Sequence, residues 1–100
     1  MGNCIIKIED QYFEWSTVVD APITRGMMLV ELEAYVKNEY GREGLEKLPA
    51  RVQRADATGT SMLGHASLDD TISVNRAGPD ESCISKADIL KRYGRAGGGA

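Results

Sequence analysis

Thr58-Gly59-Thr60-Ser61 gathers hydroxyl side chains around a glycine, directly after a segment with helical patterning. Hydroxyls and exposed backbone amides in such a turn can hold an anion, phosphate included. The glycine spacing and the Lys-Ser/Thr ending of a P-loop are absent, so a nucleoside-triphosphate cradle of that kind is excluded. The plainer reading is a helix cap followed by an ordinary loop. A second dense stretch is Asn75-Arg76-Ala77-Gly78-Pro79-Asp80-Glu81. Arg76 offers a planar donor fork for phosphate or carboxylate, and Asn75 can donate and accept toward a base or ribose. The competing reading is a stop signal in which Arg76 pairs with Asp80 or Glu81 and fixes the turn. Arg92, contributed by a second subunit, is a further candidate donor.

Little else points to chemistry. His65 stands without a nucleophile motif beside it, and Ser16, Ser61 and Ser67 lack the G-x-S-x-G elbow of a hydrolase. Asp69 and Asp70 are adjacent, so on a helix they point in different directions and compensate its N-terminus rather than form an acid/base dyad. Cys4 and Cys83 form no CxxC pair, and with one histidine in the chain no four-ligand zinc set is present. They read as two reduced thiols, a Cys4–Cys83 disulfide being the minor alternative. A small hydrolase or nuclease built on His65 with Asp69, Asp70 or Cys83 is the enzymatic alternative. The expectation is no enzyme, no metal and no cofactor. Phe13 and Trp15 suit core packing better than base stacking, and Tyr12, on the opposite face, is the aromatic candidate for a partner surface. Arg42, Lys47, Arg51 and Arg54, with Lys91, Arg92 and Arg95, make two local basic regions, read as solvated helix faces or as one shared basic groove.

The elements that position these residues follow from patterning. Cys4 to Ile8 and Tyr12 to Val19 alternate as strands around a Glu9-Asp10-Gln11 turn. A hairpin is not stable alone, so helices must cover its Phe13/Trp15 face. Pro22, which cannot donate to a ladder, ends the second strand. Helix one runs from about Met28 to Tyr40 and stops at Gly41. A turn over 44–48 leads to Pro49, which opens a fresh helical segment to about Ala57. Ser67 with Asp70 caps a short helix to about Arg76, although Thr71 to Val74 also alternates like a strand. Ser85 with Asp88 caps a last helix ending at Tyr93, with Ile84 and Ile89 placed as a hydrophobic staple. The fold class is α+β: an N-terminal β-hairpin packed against three to four short helices, one domain over residues 3–94 with a flexible Gly-rich tail over 95–100.

The chain of 100 residues, 42% hydrophobic and 27% charged, is ordinary for one globular domain. A net charge of −3 argues against general nucleic-acid binding. No apolar run reaches the roughly 18 residues of a membrane span, and no secretory leader is legible, so a cytoplasmic location is expected.

Glu14-Trp15-Ser16-Thr17-Val18-Val19-Asp20-Ala21-Pro22, Glu39-Tyr40-Gly41, Gly59-Thr60-Ser61 and the stretch Asn75 to Glu81 together resemble a pattern in small accessory proteins of tailed bacteriophages and prophages. The resemblance spans residues 5–93, and Met28 stands where that pattern places a Thr or Ser helix cap. It carries over no catalytic residue. It implies an origin in a phage or prophage, where genes of this size often encode host-takeover or counter-defence proteins acting in the infected cell. The leading expectation is therefore a non-enzymatic binding protein that sequesters a cyclic nucleotide-type immune signal. It would use Asn75, Arg76, Thr58, Gly59, Thr60, Ser61 and Arg92 at a homo-oligomer interface, where pockets commonly form. The alternatives are an inhibitor that binds a host defence protein directly, of the anti-CRISPR type, and a structural or regulatory phage protein.

Overall fold

The computed structural model describes residues 3–62 and 67–94. His65 and the tail over 95–100 lie outside the described residues. The alternating N-terminal segment forms the expected hairpin, β1 (Asn3–Ile8) and β2 (Gln11–Ser16), with Cys4 opposite Trp15 and Ile6 opposite Phe13. β2 is shorter than its alternation predicts. The Ser16 hydroxyl accepts from the Val18 and Val19 amides at 3.2 and 3.3 Å, a local turn that takes those donors away from the ladder. Pro22 does not end the sheet either. It lies in a two-residue third strand, β3 (Ala21–Pro22), opposite Trp15. On an edge strand its missing N–H can face away from the ladder, which is where proline is tolerated. The sheet order is β1-β2-β3. Isolated bridges extend both edges, Tyr12 with Met27 and Ile6 with Thr60.

Residues 29–58 form α1 (Leu29–Thr58), broken at Gly41, where φ 70 and ψ −159 turn the chain out of the helix. Glycine reaches that conformation without steric cost. The predicted stop at Gly41 is therefore present. The predicted turn over 44–48 and fresh start at Pro49 are not: helix runs from residue 42 to Thr58 with Pro49 inside it. Pro49 is exposed, while Leu48 and Ala55 are buried on the sheet side. Burial of that stripe outweighs the roughly 3 kcal/mol cost of an interior proline.

The two halves of α1 cover one face of the sheet, where Ile5 and Tyr12 meet Leu32, Val36, Leu48 and Ala55. Tyr12, expected at a partner surface, is buried there because α1 supplies a second helical layer. The other face, with Cys4, Ile6, Ile8, Phe13 and Trp15, packs on Ala77 and Ile89 as the aromatic hairpin demands. That layer contains α2 (Leu68–Ser73) and α3 (Lys86–Tyr93). The Ser67 and Ser85 hydroxyls accept from the Asp70 and Asp88 amides at 3.0 and 3.1 Å, as the capping patterns require. Residues 71–73 are helical rather than extended, but α2 ends at Ser73, short of Arg76, with Val74 as its cap. A single 3-10 turn, Pro79–Glu81, precedes α3. Cys4 is buried, Cys83 is exposed, and both are free thiols. No helix among the described residues is long and apolar enough to cross a membrane.

Candidate ligand-binding site

The Thr58 to Ser61 turn is consumed by the fold. Gly59, at φ 90, caps α1 through its amide to the Ala55 carbonyl at 2.7 Å. Its carbonyl accepts from the Lys7 amide, and the Ser61 amide donates to the Ile5 carbonyl, so the turn covers the outer edge of β1. Thr60 and Ser61 are buried. The Ser61 hydroxyl accepts from the Ile5 amide at 2.8 Å, and Thr60 Oγ1 accepts from the Met62 amide at 3.1 Å. The Thr58 hydroxyl lies 3.0 Å from the Arg54 and Thr60 carbonyls.

Asn75 is likewise structural. It is buried, its Nδ2 donates to the Ile72 and Ile84 carbonyls at 2.6 and 2.7 Å, and its Oδ1 accepts from the Ala77 and Ile84 amides. Each guanidinium nitrogen of Arg76 has a partner in its own chain. Nη2 donates to the Val18 carbonyl at 3.0 Å, Nε pairs with Asp20 at 3.4 Å and Nη1 with Glu81 at 3.3 Å. The stop-signal reading thus accounts for Arg76, with Glu81 and Asp20 as partners. The two polar turns sit at different places: Thr58 to Ser61 on the β1 edge, Arg76 against the β2–β3 connection. Arg92 is exposed on α3.

The remaining sequence candidates separate in the same way. Asp69 pairs with Lys86 at 3.2 Å, and Cys83 Sγ lies 3.5 Å from the Ile72 carbonyl. Among the described residues no cluster of three or more His, Cys, Asp or Glu could hold a metal ion. Among the described residues the two basic regions form no shared groove, because α1 and α3 pack on opposite faces of the sheet; Arg95 lies outside the described residues. Within the first region Arg42 pairs with Glu46, and Arg54 Nε donates to the Ser61 carbonyl.

What the sequence reading missed is Glu14. It lies on the α1 face of β2 and is only 3% exposed. The hydroxyls of Tyr35 and Tyr40 donate to its carboxylate, the latter at 2.5 Å, and Asn3 Nδ2 donates at 3.2 Å. Burial first, then the hydrogen bonds to Glu14, push both phenols above the ordinary tyrosine range, so they remain protonated donors. Gly44 makes room for this arrangement: a Cβ there would lie 2.5 Å from Tyr40 Cβ. The break at Gly41 brings residues 42–58 back beside the tyrosines.

Over Glu14 opens a cavity of about 540 Å³ lined by Asn3, Glu14, Tyr40, Glu43, Gly44, Lys47 and Arg51. Glu43, Lys47 and Arg51 follow one another at four-residue intervals, which puts them on one helical face. Lys47 pairs loosely with Glu43 at 3.4 Å in an exposed position. Arg51 is half-buried and makes no hydrogen bond or ion pair among the described residues. The lining therefore combines the acceptors Glu14 and Glu43 with the cationic donors Lys47 and Arg51. Among the described residues its lining contains no cysteine, serine or histidine. A second recess of about 490 Å³, lined by Leu29, Leu45, Leu48, Pro49 and Val52 with Glu33, Gln53 and Asp56, separates the two halves of α1.

Compared with known proteins, the chain matches no family model, no curated protein and no solved structure.

Proposed function

We propose that this chain is a non-enzymatic binding protein that sequesters a nucleotide-type signal, in the setting of phage counter-defence. The observation that carries the reading is Arg51, a partly buried residue without a hydrogen bond or ion pair among the described residues, on the wall of a cavity of about 540 Å³. A guanidinium fork matches phosphate geometry, so an anionic guest gives Arg51 a bidentate partner. The volume lies inside the roughly 300–1,000 Å³ range of small-molecule sites. Lys47 adds a second positive charge on the same helical face. Among the described residues the lining holds no cysteine, serine or histidine, and Glu14 is already held by Tyr35, Tyr40 and Asn3, which favours capture over turnover.

The resemblance to phage accessory proteins supplies the biological setting and, with it, the cytoplasm of an infected bacterium as the place of action. Assembly as a homo-oligomer belongs to the same proposal. Val18, Val19 and Val74 are exposed beside the segments joined by the bond from the Arg76 amide to the Asp20 carbonyl, apolar surface that a second copy would cover.

The test is isothermal calorimetry of the whole chain against cyclic nucleotides and cyclic ADP-ribose isomers. Saturable heat with at least one member is expected, with the ligand recovered chemically unchanged. Silence across the panel, or conversion of the ligand, overturns the reading.

A further inference from the structure

The geometry points to a ligand with two unlike ends: an anionic group held by Arg51 and Lys47, and a hydrogen-bond donor held by Glu14. This rests on the reading of the same cavity as a nucleotide-type site and specifies how the guest lies in it. A carboxylate has about four acceptor positions. The protein occupies three of them, with Tyr35 on Oε1 and Tyr40 and Asn3 on Oε2, which leaves an acceptor position on Oε1. The phenol oxygens of the tyrosines, spent as donors, keep their own acceptor capacity. No ion pair joins Glu14 to a cation among the described residues; its carboxyl oxygens are held by Tyr35, Tyr40 and Asn3. A second anion placed at this end would meet Glu14 and Glu43, both carboxylates, and be repelled.

The two groups are anchored at different points along the helix. Tyr40, the partner of Glu14, packs at Gly44, and Arg51 is attached seven residues farther on, about 10 Å of backbone rise that its long side chain partly recrosses. A guest that reaches both must carry an anionic group and, apart from it, a hydrogen-bond donor. A nucleotide has that form, with its phosphate toward Arg51 and either a ribose hydroxyl or an exocyclic amine toward Glu14. Both sources share one chemistry, a donor offered to a buried carboxylate.

Calorimetry with 3′,5′-cyclic AMP, its 2′-deoxy analogue, 3′,5′-cyclic IMP and inorganic pyrophosphate distinguishes them. Loss of the relevant donor is expected to weaken binding about tenfold or more, because a site built to accept a hydrogen bond is left unpaired. Weakening in the 2′-deoxy analogue assigns the hydroxyl; weakening in cyclic IMP assigns the amine. In Glu14→Gln, confirmed folded by circular dichroism, that discrimination is expected to shrink to a few-fold. Equal binding of the three nucleotides overturns the inference, and so does pyrophosphate binding as tightly as cyclic AMP; in both cases the cavity remains an anion site. If none of the four probes binds, the inference falls, while the nucleotide reading of the cavity falls only if the cyclic ADP-ribose isomers are silent as well. The comparison among ligands uses the unaltered protein, so it stands even if Glu14→Gln does not fold.

Discussion

Glu14 is a charged residue in a strand position that a hydrophobic side chain would fill more cheaply, and its neighbours are arranged to tolerate it. Two phenols and an amide donate to it, and the phenols titrate above the usual range because they are partly buried and bonded to a carboxylate. The linkage has a definite sign. The folded tyrosines hold their protons more tightly than the unfolded ones, which release them near the ordinary value of 10.0. Their contribution to stability is complete below that pH and is lost as pH rises through the folded values. Urea midpoints are therefore expected to fall above pH 10 in the parent protein, and to fall less in Tyr35→Phe. An equal fall in both would show that the phenols are not coupled to folding. Gly44 is the second residue on which the site depends. Gly44→Ala gains about 1 kcal/mol of helix propensity but drives a methyl against Tyr40 Cβ at 2.5 Å. A net loss of roughly 1–2 kcal/mol is expected from overpacking, read by urea denaturation. A stabilised variant would mean that Tyr40 can move aside freely.

At the scale of elements, local signals were legible where a side chain bonds to nearby backbone. Ser67 and Ser85 cap the helices that their spacing to Asp70 and Asp88 indicates, and Gly41 breaks α1 where helix one was expected to stop. Ser85→Ala is expected to cost about 1 kcal/mol, measurable as a lower thermal midpoint; no change would mean that packing of Ile89 alone holds the start of α3. Signals that depend on tertiary context were misread. Pro49 reads locally as a helix start, but the stripe of Leu48, Val52 and Ala55 carries the helix through it. Pro22 reads as a strand terminator, but becomes an edge strand once β2 is available to pair with. Asp56 shows the same dependence. It is drawn from the second half of α1 onto the sheet by the Tyr12 hydroxyl at 2.6 Å and by Lys7 at 3.1 Å, neither of which is near it in sequence.

For the whole molecule, the α+β class followed from the alternation of the N-terminal third and the capping signals after it. The candidate site did not follow. Asn75 and Arg76 stand out in sequence because asparagine and arginine are versatile donors, yet the chain uses that versatility on itself, at the Ile72, Ile84, Val18 and Asp20 backbone and side-chain groups. Arg51 looked like one charge among several on a solvated helix. It becomes distinctive only when the break at Gly41 folds its helix over β2, placing it in one cavity with a glutamate from the hairpin. A single comparison tests this account most directly: calorimetric titration of the best-binding cyclic nucleotide into Arg51→Glu and into Arg76→Ala, each confirmed folded. Arg51→Glu is expected to lose binding by about a hundredfold or more, since reversing a phosphate-binding charge removes an attraction and adds a repulsion, while Arg76→Ala keeps it within a few-fold. Retention of binding by Arg51→Glu, with loss in Arg76→Ala, would contradict it.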